Sequence, residues 1–193
     1  MKVTLLNKPD IDFIDCSIGQ CYDKGPHTHY NKKLSRINRV ANVSKHSSVL
    51  EFTDAIFEIE ASTKVLLEMT RHRQASYACK SSRYTLNKSD LVFETTGDAS
   101  IDKILEDLRI DTLLQISAGK TNDTVSLMLP QAYQYRWTAK FNYRSLQNFL
   151  ELRLDKHAHF QIREVAQAML AALPLEHQQI LLKELANGTN EKP

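Results

Sequence analysis

Glycine and proline are scarce in this chain of 193 residues, five of each, and cysteine occurs three times. Since those first two residues punctuate loops, their scarcity excludes long flexible linkers. Cys16, Cys21 and Cys79 form no disulfide framework and lack the CxxC spacing of a redox or zinc motif, which points to a reducing compartment. The opening MKVTLLNKPDIDF has no apolar run of secretory length, and no later stretch is long enough to span a membrane. A cytoplasmic protein with no membrane partner is therefore expected. Charge of one sign is missing too: 25 Lys and Arg stand against 23 Asp and Glu, a net +2. No global field calls for nucleic acid, so any basic site must be local. Internal repeats and low-complexity tracts are absent.

What is present reads as one globular domain over residues 1–193, with 42% hydrophobic and 25% charged residues. Residues 186–193, ANGTNEKP, read as a frayed tail. Cys21 to Lys33 is polar and turn-rich, a loop, and a short helix is expected from Val40 to His46. TDAIFEIE, residues 53–60, alternates as a half-buried strand. Ser62 and Thr63 then cap a helix through Val65, Leu66 and Met69, ending near Ser76, with Tyr77 to Thr85 extended. Ser100 caps a second helix whose Ile101, Ile104, Leu105 and Leu108 fall at helical spacing. Tyr133, Tyr135, Trp137, Ala139, Phe141 and Tyr143 make a strict period-two run, the pattern of a strand with one face in the core. Helices follow at Arg144–Leu154, His157–Ala172 and Leu175–Leu185, with Pro174 between the last two and His177 on a solvated face. The class is α+β, helix-rich, with a small, mostly antiparallel sheet.

Two segments concentrate chemistry. RHRQASYACKSSRY, from Arg71 to Tyr84, sets two arginines round a histidine at an expected helix end and adds a Ser-Ser-Arg turn. Guanidinium forks, an imidazole and hydroxyls can hold phosphates and a polar ring. Arginines at a helix C-terminus can also serve only the macrodipole, so the cluster alone does not decide. NYRSLQNFLELRLDKH, from Asn142 to His157, places Arg144, Asn148 and Leu152 on one helical stripe. A solvated face would show the same spacing. The pairs His27/His29 and His157/His159 have no cysteine or carboxylate set at metal spacing nearby, so no metal is expected.

Together these segments resemble the flavin-dependent thymidylate synthases, the ThyX family. The first matches the RHR-x7-S motif, in register through Ser76, Ser81, Arg83 and Tyr84. The second meets every fixed position of the block N-x-R-S-L-x-N-F-L-x-L-R. HSSVLEF, from His46 to Phe52, is similar to the family's H-x-x-x-x-E-H segment, with Phe52 in place of its second histidine.

The resemblance implies an enzyme, a methyltransferase that makes dTMP from dUMP with FAD, 5,10-methylenetetrahydrofolate as carbon donor and NADPH as reductant. It also implies a homotetramer with shared active sites. Carried over by motif position, Ser48, Arg71, His72, Arg73, Cys79, Asn142, Arg144 and Asn148 hold FAD. Glu68, Arg71, Cys79, Lys80, Ser81, Ser82, Arg83 and Arg153 hold dUMP. Arg153 is the catalytic group: its cation favours the anionic, electron-rich uracil, and it keeps its own proton. His46, Glu51, Ser126 and His157 are supporting positions. Ser81 has no general base beside it in sequence and reads as a substrate-binding hydroxyl rather than a nucleophile.

Ala78 and Cys79 stand where the family often has Asn and Glu, and Ser126 where many members carry a cation for the dUMP phosphate. Weak dUMP binding is the expectation, with Lys80 or a neighbouring subunit's lysine as compensation. Two alternatives stay open. One is a relative that binds flavin and nucleotide without synthase activity. The other is an RNA-binding module using Arg71, Arg73 and the tyrosine run.

Overall fold

The computed structural model of the chain describes residues 1–27, 29–88 and 90–183. Among the described residues, four strands form one sheet: β1 (Lys2–Leu5), β2 (Asp54–Ser62), β3 (Ser76–Cys79) and β4 (Gln134–Asn142). Their order is β1-β2-β4-β3 and each neighbouring pair is antiparallel. The helices are α1 (Asp12–Cys21), α2 (Tyr30–Asn38), α3 (Thr63–Met69), α4 (Ser82–Thr85), α5 (Ala99–Ser117), α6 (Asn122–Val125), α7 (Tyr143–Arg153), α8 (Phe160–Ala171) and α9 (Leu175–Leu182). A π-helical turn, Arg39–Val43, extends α2, and a 3-10 turn, Ser47–Phe52, leads into β2. The α+β class expected from the sequence is the one found.

The period-two patterns set the core. Ala55, Phe57, Ile59 and Ala61 of β2 and Trp137, Ala139 and Phe141 of β4 are all buried. In register, Phe57 faces Ala139 and Ile59 faces Trp137, a large residue beside a small one and then two large ones. Ile14 and Ile18 of α1, Leu146, Phe149 and Leu150 of α7, Val165 and Met169 of α8 and Ile180 of α9 join them in one cluster. The other side of the central strands is polar, with Lys140 Nζ 2.8 Å from Asp54 Oδ2 and Arg136 opposite Glu60. Leu86, Leu91, Val125 and Tyr133 form a smaller second cluster under the segment between β3 and β4.

Several boundaries differ from expectation, each for a local reason. The helix after Ser62 stops at Met69 rather than near Ser76: the Tyr77 hydroxyl donates to the Met69 and His72 carbonyls (2.8 and 3.0 Å), acceptors a longer helix would use itself. Extension after Tyr77 lasts only to Cys79; the Ser81 carbonyl then accepts from the Tyr84 and Thr85 N–H groups and starts α4. Asp98, not Ser100, caps α5, its carboxylate accepting from the Ser100 and Ile101 N–H groups at 2.9 and 3.2 Å. The loop expected over Cys21 to Lys33 is shorter, because α1 reaches Cys21 and α2 starts at Tyr30. His177 is not on a solvated face. It is 4% exposed, and its Nδ1 lies 2.5 Å from the Tyr143 hydroxyl. The expected tail 186–193 and the last two residues of the expected helix Leu175–Leu185 lie outside the described residues.

Candidate active site

The turn after α3 sends one side chain inward and two outward. The His72 N–H bonds back to the Met69 carbonyl (2.9 Å), and the Trp137 indole N–H meets Met69 Sδ at 3.4 Å. With Tyr77 bonded to both carbonyls, the turn is pinned at either end. His72 is buried, 8% exposed, while Arg71 and Arg73 are in solvent. The imidazole packs against Phe141 and Phe149, with centroids 5.6 Å away in both cases.

From the other side comes the start of α7. Asn142 is its N-cap, the side-chain oxygen accepting from the Ser145 N–H at 2.8 Å. One helix face buries Leu146, Phe149 and Leu150, and the opposite stripe leaves Arg144, Asn148 and Leu152 exposed. Ser145 is buried between α7 and the turn, its Oγ 2.7 Å from His72 Nε2 and 2.5 Å from the Gln74 carbonyl.

These pieces enclose an open cavity of about 500 Å3. His72, Asn142, Arg144, Asn148 and Glu51, all singled out from the sequence, line it, and Ser47, Gln74, Ser145, Gln147 and Glu151 complete the wall. Arg144 Nη1 donates to Glu51 Oε1 at 2.6 Å. Both groups are about half exposed, so the pair orients two side chains more than it stabilises the fold. Burial, with the Arg153 cation as the second cause, holds the His72 imidazole below its ordinary value. The ring therefore faces the cavity neutral at pH 7.

A second group lies between α3 and the end of α7. Arg153 Nη2 donates to the Glu68 carbonyl at 3.0 Å, with Nη1 3.8 Å from the Glu68 carboxylate. Lys64 Nζ approaches the same carboxylate at 3.2 Å. Arg153 is thus a largely covered cation whose field reaches both His72 and Tyr77. The third group is more open. Arg83 Nε is 3.2 Å from Asp123 Oδ1, and Arg83, Tyr84, Asn87, Lys120, Asn122 and Asp123 line a cleft of about 290 Å3 between α4 and α6.

Residues 11–176 match the family model described as thymidylate synthase complementing protein. The flavin-dependent thymidylate synthase of Wolinella succinogenes is 36% identical, over 92% of this chain and 95% of its own. This chain belongs to the flavin-dependent thymidylate synthase family. The Campylobacter jejuni (strain RM1221) member is 35% identical over 92% of this chain and 94% of its own length. The fold agrees with a crystal structure of thymidylate synthase X from Helicobacter pylori with FAD and dUMP. Its TM-score is 0.84 at 29% identity, covering 94% of this chain and 98% of that one.

Within this thymidylate synthase fold, the expected site residues divide into those brought together and those left apart. The RHR turn and the Asn142 block meet at the cavity through His72, Asn142, Arg144 and Asn148. Arg71 and Arg73, on either side of His72 in the chain, are exposed and do not line it. Ser48 is exposed in the 3-10 turn whose neighbouring Ser47 faces the cavity, and His46 stands exposed at the head of that turn. Glu68 and Arg153 meet each other. Ser81, Ser82 and Arg83 sit on α4 or its N-cap, and Ser126 follows α6 with its hydroxyl bonded to the Asp123 carbonyl at 2.8 Å. Cys79 and Lys80 lead out of β3 toward α4, the Lys80 N–H bonding the Arg136 carbonyl at 3.0 Å. His157 stands apart, exposed and paired with Asp155 at 2.8 Å. Phe52 is 61% exposed, so its ring is not a core substitute for a histidine.

Ser145, Gln74 and Lys120 were not singled out from the sequence. Ser145 is the third residue beyond the Asn142 cap and could have been found as a group facing back toward that cap. Gln74 contributes a carbonyl, which no residue type reveals. Lys120 joins the cleft because Gly119, at φ +76°, turns the chain there after α5. Among the described residues no three His, Cys, Asp or Glu side chains gather to hold a metal, and no helix is long and apolar enough to cross a membrane.

Proposed function

We propose that this protein methylates dUMP to dTMP reductively, using FAD, 5,10-methylenetetrahydrofolate and NADPH. The observation that carries the reading is the meeting of the RHR turn and the Asn142 block in one polar cavity, residues 70 positions apart in sequence sharing a wall. The lining fits a flavin ring system: carboxamides of Asn142 and Asn148 and the Arg144 guanidinium offer donors, and a neutral imidazole offers an acceptor. FAD bound there supplies the hydride-carrying chemistry. His72, Asn142, Arg144 and Asn148 hold it, with Ser48, Arg71, Arg73 and Cys79 at its margins.

Arg153 directs the uracil. Being only 22% exposed, it acts in a medium where its charge is weakly screened. A cation beside the uracil O2/N3 edge stabilises the ring anion and raises nucleophilicity at carbon. Glu68 orients Arg153 through both its carbonyl and its carboxylate. Ser81, Ser82 and Arg83 take the phosphate end of dUMP, with Lys80 and Lys120 as the nearby cations.

The domain spans 1–193 and assembles as a homotetramer in the cytoplasm with shared sites. The 19-residue α5 supports self-association: of its residues only Thr112 is buried, and Ile101, Ile104, Ile110, Leu113 and Leu114 lie open. The test is the absorbance spectrum of protein supplied with FAD, then bleaching by NADPH with and without dUMP. A flavin spectrum that NADPH reduces faster with dUMP present, together with dTMP formed once the folate is added, is expected. No flavin binding at excess FAD overturns the reading, and flavin binding without turnover leaves only a nucleotide-binding relative.

A further inference from the structure

We propose that Ser145 is a positioning residue that fixes His72 as its Nε2–H tautomer, so that the ligand group seated against His72 is a hydrogen-bond donor and not a phosphodiester. This deepens the reading of the cavity as a flavin site and rests on it for the identity of the ligand.

The assignment follows from proton counting. The Ser145 hydroxyl lies 2.5 Å from the Gln74 carbonyl oxygen and 2.7 Å from His72 Nε2. A carbonyl only accepts, so the single hydroxyl proton goes to Gln74. Ser145 Oγ must then accept at its other contact, and the proton on that line belongs to Nε2. The neutral ring has one N–H, which leaves Nδ1 a bare lone pair. Contacts with Phe141 and Phe149 restrict rotation of the ring, and Ser145 itself is 5% exposed.

Nδ1 has no hydrogen-bond partner among the described residues. Among them the buried side-chain polar atom left unpartnered is Arg36 Nη2, so His72 Nδ1 is not sealed, and the cavity that His72 lines is where a ligand can meet it. The titratable groups around it are Glu51, Arg144 and Glu151 on the cavity wall, Lys183 paired to Glu151, Arg153, and Tyr77 bonded to the His72 carbonyl. Arg153 and burial both disfavour a second proton on the ring. A lone pair set against the unprotonated oxygens of a phosphodiester repels them, whereas a ring N–H or a hydroxyl of the flavin meets it well. In this chain the middle residue of the RHR turn thus differs in role from the two arginines beside it.

The experiment is nitrogen NMR of the histidine-labelled protein, wild type, Ser145→Ala and Ser145→Thr, at neutral pH, followed by addition of FAD or of dimethyl phosphate, a diester with no P–OH donor. The wild type is expected to show His72 with a pyrrole-type Nε2 and a pyridine-type Nδ1 before any ligand is added. Ser145→Ala should populate the other tautomer and weaken FAD by roughly ten-fold, about one hydrogen bond, while Ser145→Thr restores both. FAD should shift the Nδ1 resonance and dimethyl phosphate should not. A wild-type ring protonated on Nδ1, an unchanged tautomer in Ser145→Ala, or a diester-induced shift overturns the proposal. The tautomer is read without ligand, so it judges Ser145 even if FAD fails to bind, an outcome that counts against the flavin reading itself. The Ser145 N–H to Asn142 bond is a backbone donor and survives each substitution.

Discussion

Removing one oxygen from Tyr77 tests how the RHR turn is held. Tyr77→Phe keeps the ring and its edge contact with Phe141, centroids 6.1 Å apart, and deletes only the hydroxyl that bonds the Met69 and His72 carbonyls. Burial holds this phenol well above its usual range, so the donor is intact at any working pH. One proton is shared between two carbonyls, so the loss counts as one donor. Leaving partly buried acceptors short costs about 1–3 kcal/mol. For a chain of this size each kcal/mol moves Tm by about 2–4 °C, so a fall of several degrees is expected. Because the lost bonds bracket His72, FAD affinity should fall as well, although Tyr77 does not line the cavity. Thermal unfolding monitored by circular dichroism, beside an FAD titration, measures both. An unchanged Tm would show that the turn is held without this hydroxyl. A lowered Tm with unchanged FAD affinity would break the link between turn and site.

Asn142→Ala should cost about 0.5–2 kcal/mol through the lost cap, whereas Asn142→Asp keeps the cap. FAD binding reduced in both variants, with stability lost only in the first, separates the two roles of this side chain. Folding should weaken on acidification. His72 and His177 are both held below 6.5 by burial, so below that pH the unfolded chain binds protons the folded one refuses. Stability is full above the unfolded value and falls beneath it, by up to about 1.4 kcal/mol per pH unit per imidazole, until each folded value is passed. Urea midpoints that are equal at about pH 7.5 and about pH 5.5 would contradict this. Ser126→Arg should tighten dUMP about ten-fold or more by adding a charged hydrogen bond worth about 1.5–3 kcal/mol; equal dissociation constants by calorimetry would remove Ser126 from the phosphate's surroundings.

Legibility in the sequence followed the range of the interactions. Alternation over residues 53–60 and 133–143 marked β2 and β4, because a strand with one buried face writes its period directly into residue type. The α7 stripe of Arg144 and Asn148 was readable for the same reason at helical period. The short elements were harder. β1 has four residues and α4 also four, too few to carry a period. The end of α3 escaped because the group that stops it, the Tyr77 hydroxyl, comes from the following strand. His177 looked like a surface histidine on a helix with polar neighbours, and only the packing of α9 against α7 buries it beside Tyr143.

By itself, then, the sequence determined the class, the two central strands, the chemistry-bearing residue types and the family they resemble. Hydrophobic period and motif spacing are properties of the chain read in order. Tertiary structure alone decided that His72 points inward while Arg71 and Arg73 do not, that Glu68 grips Arg153, and that Ser145 stands between His72 and the Gln74 carbonyl. Those arrangements join residues that are 71 to 85 positions apart in the chain. Hydrogen-bond direction depends on atoms meeting within about 3 Å, a condition that linear order leaves open and packing settles.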